Sequence, residues 1–319
     1  MRSTAAGTPP SRPWCAVPRW RTCSSASPGG PSLTEQPAPG GTTAVDAPLV
    51  SFTGIDHAVL AKRTRRWGWV QYSSYRHAAE RPFLGSSLAV ALGNPILYLA
   101  AMGLGLGSIV RHDVDGVGYL WFVAPGLLVS TVVSTAAQFG TWPIFGGFKW
   151  QRTYLAAQAT PLEPRQMAQG ETLAITVRLL VQALLFWLLG FAFGAWPGGA
   201  SLLNVPIATL AGLAMFTPLM AYAATLEEEG LQFSFVQRLI VMPMFLFAGT
   251  FFPLSVMPLS LQWIGWISPM WHGTQLARMA SYGLSEPPWL VAVHLVVLVV
   301  FFVGGLWAAS RTFTRRLVR

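Results

Sequence analysis

Residues 241–279, VMPMFLFAGTFFPLSVMPLSLQWIGWISPMWHGTQLARM, carry no charge before Arg278. A helix that crosses a bilayer needs about 20 apolar residues at ~1.5 Å rise each, so this stretch crosses once and has material left over. The remainder contains Pro253, Pro258 and Pro269, each of which removes a backbone donor and breaks a continuing helix. It also contains Trp263, Trp266 and Trp271, a residue type that settles at the membrane–water boundary. The pattern predicts a helix that climbs to about Pro253, followed by short broken helices that dip back into the outer leaflet. Irregular backbone survives at that depth only where protein or water satisfies its polar groups. The segment must therefore pack against other helices or line a pathway.

Composition agrees with a chain built in lipid. Hydrophobic residues make up 53% and charged residues 10%, with a mean hydropathy of +0.47, which is a polytopic membrane composition. The net charge of +9 comes from basic residues flanking apolar runs. It therefore points to membrane topology rather than to a nucleic-acid partner. Cys15 and Cys23 lie in the first 50 residues, which leaves no cysteine framework elsewhere in the chain.

Residues 1–50 read as a disordered low-complexity tail. Nine prolines fall in the first 48 positions among Ser, Gly, Thr and Ala, too little apolar surface to offset ordering entropy. The tail has no apolar run of signal-peptide length, so it is not read as a secretion signal. Residues 51–319 form the membrane domain. It opens with a basic, aromatic segment at 56–81 in which Trp69, Tyr72, Tyr75 and Ala79 recur at helical spacing behind Lys62, Arg63, Arg65 and Arg66. Such a helix lies along a membrane surface.

Six spans follow, giving an all-α membrane protein with short re-entrant helices between the fifth and sixth. The first span is expected over 83–110, with Gly103 and Gly107 serving helix packing, and the second over 119–142. A loop over 145–170 carries Lys149, Arg152 and Arg165. The third and fourth spans form a hairpin around the WPGGAS turn at 196–201, because 179–226 is free of charge. Glu227, Glu228 and Glu229 precede the fifth span, where acids favour a helix start. Pro287 and Pro288 open the sixth. With both termini inside, segments 61–82, 143–170 and 311–319 hold thirteen Lys or Arg, against Arg111 and Arg278 outside. That bias satisfies the positive-inside rule.

Several chemistries are missing. No G-x-x-x-x-G-K-[ST] loop, H-E-x-x-H or G-x-S-x-G occurs, and His57, His77, His112, His272 and His294 stand singly as packing histidines. The spans hold no acid at depth of the kind that ion-coupled carriers use. Arg178 lies two turns from Glu171 and is expected to reach back to the membrane boundary. A channel would need a charged or carbonyl-lined constriction, which the spans lack. The energy source is expected outside this chain.

In this setting FAGTFFPLSVMPLSLQWIGWISPMWHGTQL before the last span resembles the ABC-2 type exporter permeases, particularly the nodulation lipo-oligosaccharide and daunorubicin-type drug exporters. NPILYLAAMGLGLGS at 94–108, FVAPGLL at 122–128 and TYLAAQATPLEPRQMAQGE at 153–171 agree in order and spacing. The resemblance implies a multi-pass protein of the bacterial plasma membrane with cytoplasmic termini. It would pair with a second permease copy, identical or homologous, contact membrane lipid, and bind two copies of a separate ABC ATPase. ATP and magnesium would belong to that partner, with no catalytic residue, cofactor or metal in this chain and no nucleic acid involved.

By the same resemblance, Thr160, Pro161, Leu162, Glu163, Pro164, Arg165 and Gln166 form a coupling helix resting on the ATPase. The interface helix, with Arg66, Trp69, Tyr72 and Arg76, makes the second contact. Phe251, Phe252, Pro253, Trp266, Pro269 and Trp271 belong to an outer gate. The family pattern places an acid near Gly140 and an arginine near Gly147, and both positions are glycine here. A channel or scaffold subunit outside this family is the alternative class.

Overall fold

In the computed structural model, residues 57–80, 93, 96–106, 114–228 and 230–318 are described, all within one unit spanning Gly54–Arg319. Ten helices carry the architecture: α1 His57–Glu80, α2 Tyr119–Phe139, α3 Trp142–Lys149, α4 Thr153–Ala157, α5 Pro164–Ala192, α6 Asn204–Ala223, α7 Gln232–Phe247, α8 Leu259–Ile267, α9 Pro269–Tyr282 and α10 Pro288–Leu317. Among the described residues the only β feature is an isolated bridge between Val114 and Val117.

Among the described residues four helices are long and apolar enough to cross a membrane: Tyr119–Lys149, Pro164–Ala192, Gly199–Ala223 and Pro288–Leu317. The expected first span lies mostly outside the described residues. What is described of it includes a π-helical stretch at Leu99–Leu106. The expected fifth span is present as the shorter apolar helix α7, with a π segment at Val236–Val241. It does not reach Pro253. Ala248 closes it, and Gly249 at φ 75° turns the chain away, a backbone conformation that glycine adopts without steric cost. At 1.5 Å per residue, α7 rises only ~24 Å, short of the ~30 Å hydrocarbon core.

α6 is the hub, packing against α2, α5, α9 and α10. The apolar window of the Tyr119–Lys149 span is 78% buried, whereas Val177, Leu184, Leu188 and Phe191 on α5 and Val296, Val300 and Val303 on α10 are exposed. In a bilayer those outer faces meet acyl chains, so their exposure costs nothing there. Small residues bring the inner helices together. A Cβ on Gly305 of α10 would come within 2.4 Å of Thr217 Oγ1 and 2.6 Å of Pro218 N on α6. A Cβ on Gly273 of α9 would come within 2.7 Å of Ala211 on α6.

The bundle has two ends. At one, Gln158 donates to the carbonyl of Leu317 and Arg316 Nη1 donates to Ala224 O at 3.0 Å. This gathers the end of α4 with the ends of α6 and α10. At the other, Trp121 Nε1 donates to Gly194 O at 3.0 Å and Asn204 Nδ2 to Ser281 Oγ at 2.6 Å. The 29 residues of α5 separate the two ends by ~43 Å.

Two expectations shift. The loop expected from 145 begins later, because Phe145 and Phe148 are buried in α3, where Phe145 meets Trp150 and Phe233 edge-on at 5.6 Å. The acids at 227–229 do not start the fifth helix. Its first turn holds none, and Glu227 instead offers its backbone carbonyl to Lys149 Nζ at 3.2 Å.

Candidate functional site

At the start of α5 the chain makes a tight, exposed elbow. Thr160 turns back on Ala157 O through its amide at 3.1 Å and its hydroxyl at 2.6 Å. Glu163 then caps α5 in a reciprocal box with Gln166, whose Oε1 accepts from Glu163 N at 3.1 Å. Pro164 follows at the first helical position, where its missing N–H has no consequence. Thr160, Pro161, Glu163 and Arg165 are exposed, Leu162 and Pro164 half-buried, and Gln166 buried.

The buried side of this elbow rests on α1. A Cβ added to Gly68 would lie 2.5 Å from Gln166 Oε1 and 2.7 Å from Leu162 Cδ2, and one added to Gly170 would lie 2.8 Å from Trp69 O. Two glycines facing opposite ways thus let α1 and α5 touch backbone to backbone. The structure brings together the two regions expected to contact a partner. Trp69 is half-buried and Trp67 stacks beside it at 6.4 Å. The side chain of Arg66 lies outside the described residues.

Beneath this joint sits a carboxylate. Glu171 is 4% exposed. Its Oε1 accepts from Tyr154 at 2.8 Å and from Tyr72 at 3.2 Å, and Arg76 Nε lies 3.0 Å away. A buried carboxylate is tolerated only when paired and hydrogen-bonded, and here α1, α4 and α5 supply the partners. Burial, reinforced by the Glu171 charge, pushes both phenols well above their usual pKa. They act as fixed donors. Tyr154 also packs on Phe148 at 4.4 Å and edge-on to Phe313 of α10 at 5.0 Å, which carries the joint into the last helix.

The Arg178 guanidinium lies over the Phe139 ring at 4.0 Å. The two glycines standing where a charged pair was expected have a steric reason. A Cβ at Gly147 would come within 2.5 Å of the Tyr154 ring, and one at Gly140 within 3.1 Å of Leu219 Cβ and Phe216 O. Close packing has replaced charge there.

At the opposite end the expected gate residues divide. Trp266 and Trp271 meet at 4.7 Å, with Trp271 buried and Trp266 46% exposed. Pro269 opens α9 after Ser268, whose hydroxyl accepts from Met270 N at 3.1 Å. Phe251 packs edge-on to Phe245 at 5.4 Å, Phe252 is exposed, and Pro253 precedes a 3-10 turn at Leu254–Val256. Gly249, with its turn pressed on Trp271, joins the two groups.

Residues that sequence reasoning passed over hold this end together. Arg278, expected in an outer loop, is 1% exposed within α9. Its Nη2 donates to Gly249 O at 2.7 Å, Nη1 donates to Gln275 Oε1 at 3.2 Å, and its guanidinium lies 3.7 Å over Phe122. Ser130 of α2 and Thr250 share a hydrogen bond of 2.7 Å. His272 and His294, expected to stand singly, are paired at 2.6 Å. Sequence carried no signal for that meeting, since they stand 22 positions apart with a proline turn between them. Among the described residues no group of three His, Cys, Asp or Glu is arranged to hold a metal ion.

The chain is a helical bundle with an elbow at one end and a broken-helix cap at the other. The family described as ABC-2 type transporter matches residues 85–282, and the chain belongs to it. The chain is 30% identical over 249 residues to nodulation protein J of Rhizobium leguminosarum bv. viciae, covering 78% of this chain and 92% of that protein. It is 29% identical over 265 residues to nodulation protein J of Sinorhizobium fredii, covering 79% and 95%. The inner membrane transport permease YadH of Escherichia coli K12 is 25% identical over 215 residues, covering 65% and 79%. The chain is thus a membrane component of an ABC transporter, in a family whose members are transport subunits working with ABC ATPases rather than catalysts themselves.

Proposed function

We propose that this chain is the permease through which an ATP-driven exporter of the bacterial plasma membrane moves an amphiphilic, drug-like or lipid-linked substrate out of the cell. Two copies of a separate ATPase, holding ATP and magnesium, dock on the elbow Thr160–Gln166 and on α1. Two permease copies form the pathway between them, with both termini on the ATPase side, and Phe251, Phe252 and the Trp266–Trp271 pair close it outward. An uncharged bundle surface suits an apolar cargo better than a polyanion.

The observation that carries this reading is the joint under the elbow. Gln166 and Leu162 pack on Gly68 while Glu171 ties Tyr72, Arg76 and Tyr154. A partner that pushes the elbow therefore moves α1, α4 and α5 as one body. The test is to purify the chain with candidate ABC ATPases in nanodiscs and measure drug-stimulated ATP hydrolysis. Arg165→Glu, at an exposed position, and Pro161→Ala should each lower stimulation at least several-fold. If both variants assemble and are stimulated as the wild type is, the coupling assignment fails.

A further inference from the structure

The two paired histidines belong to a longer chain of contacts at the capped end. His272 Nε2 lies 3.0 Å from the Trp266 carbonyl oxygen, and His272 Nδ1 lies 2.6 Å from His294 Nδ1. His294 Nε2 lies 2.9 Å from Glu286 Oε2. Glu286 Oε1 accepts from Gln275 Nε2 at 2.7 Å, Gln275 Oε1 accepts from Arg278, and Arg278 donates to Gly249 O. One line of hydrogen bonds thus runs from Trp266, through α9 and the start of α10, to the turn that precedes Phe251.

Hydrogens can be counted along it. The carbonyl and an ionised carboxylate only accept, and a neutral imidazole has one N–H. The contacts from Trp266 to His272, His272 to His294 and His294 to Glu286 need three hydrogens. Two neutral rings and a carboxylate bring two. The third must be a labile proton shared along the trio; with His272 donating to the Trp266 carbonyl and His294 donating to His272, it lies between His294 and Glu286. With it the trio is neutral. Without it, two acceptors face each other at 2.9 Å and a net negative charge sits on side chains that are 0% and 10% exposed, an arrangement that burial penalises. A metal ion does not substitute, since nitrogens 2.6 Å apart cannot both ligate at about 2.0–2.1 Å in tetrahedral geometry.

The described residues around the trio do not supply that hydrogen otherwise. Among the described residues, Arg278 is the cation that faces the trio from α9, and it is relayed through Gln275 and spent on Gly249 O. Asp115, Tyr119 and Tyr282 lie around Arg278. α8 and the 199–203 turn have no ionisable group, while Arg238 of α7, Tyr222 of α6 and Arg311, Arg315 and Arg316 of α10 are placed toward the other end of their helices.

We propose that His272, His294 and Glu286 form a proton-binding site, and that its proton fastens the cap formed by the 249–253 turn, Trp266 and α9. The proton site stands on the hydrogen count; its role in gating rests on the outer-gate reading given above. Closing the cap takes up a proton, and alkaline conditions at this end loosen it.

Glu286→Gln is the decisive variant. Its Oε1 still accepts from Gln275, and its amide N–H donates to His294 Nε2, so the missing hydrogen becomes covalent. The full chain in nanodiscs is compared by thermal unfolding and by hydrogen exchange, corrected for intrinsic rate, between pH 6 and pH 9. The wild type should lose thermal stability and exchange several-fold faster at 249–258 as pH rises, and Glu286→Gln should show neither trend. A wild type without pH dependence, or a variant that follows the wild-type slope, overturns the proton site. Should the variant fail to fold, ¹⁵N-histidine spectra of the wild type decide: one shared titration of His272 and His294 supports the site, and two independent ones overturn it. A pH-dependent stability that Glu286→Gln abolishes, with exchange at 249–258 unchanged throughout, supports the site and removes the gate role alone.

Discussion

Glu171→Ala is expected to release α1 from the bundle without unfolding the bundle itself. Truncation removes the acceptor of two buried phenols and the partner of a guanidinium whose side chain is 16% exposed. Hydrogen bonds to charged groups contribute about 1.5–3 kcal/mol each, and removing one member of a buried pair costs about 3–5 kcal/mol in total. Both phenols keep their desolvation cost with nothing to donate to. Since α1 is held at this end chiefly by the Gly68 and Gly170 contacts and by Glu171, a loss of ~3–5 kcal/mol raises the open population of α1 by roughly two to four orders of magnitude. Hydrogen exchange of residues 57–80 in nanodiscs should speed up accordingly, while residues 204–223 of α6 stay protected. Glu171→Gln, which keeps one acceptor, should fall between. Unchanged protection of 57–80 in Glu171→Ala would refute the idea that this carboxylate fastens α1 to the elbow.

Gly305→Leu should be among the most damaging substitutions in the bundle, because even a Cβ there meets Thr217 and the ring of Pro218. Overpacking costs about 1–3 kcal/mol or more, read as a lower melting temperature in detergent, whereas Gly304→Ala, with open space around it, should be silent. Arg278→Met should leave Gly249 O without its donor, at about 1–3 kcal/mol for an unpaired buried acceptor. Exchange at 248–253 should rise more than at the elbow. Alkaline pH gives a fourth check. The folded pKa values of Tyr72 and Tyr154 are raised above the ordinary 10.0 by burial and by Glu171. Their contribution is therefore complete below pH 10 and fades as pH climbs beyond it. The Tyr72→Phe/Tyr154→Phe pair should flatten the decline in melting temperature between pH 10 and pH 11.

Apolar length, proline placement and charge bias were sufficient to read a helical membrane chain and its broken segment after α7. These are local properties: hydrophobic run length decides what must lie in lipid, and proline decides where a helix stops. The elbow was reached through the resemblance and its bounding prolines, whereas the reciprocal cap of Glu163 with Gln166 appeared only in the structure. The end of α7 was missed because Gly249, not Pro253, turns the chain, and a glycine within an apolar run gives no hint of its φ. The helix at 142–149 was missed because the fate of Phe145 and Phe148 depends on Phe233 and Phe313, far along the chain.

What only the tertiary structure decided is pairing. Glu171 with Arg76, Arg278 beneath the turn at Gly249, and His272 against His294 each join residues from different elements. Spacing within one helix says which side chains share a face. Which face meets which neighbour is settled by close approach at Gly68, Gly170 and Gly305, a property of two surfaces at once. The class of protein was therefore readable from one dimension, and its polar machinery appeared only when the helices were brought together in three.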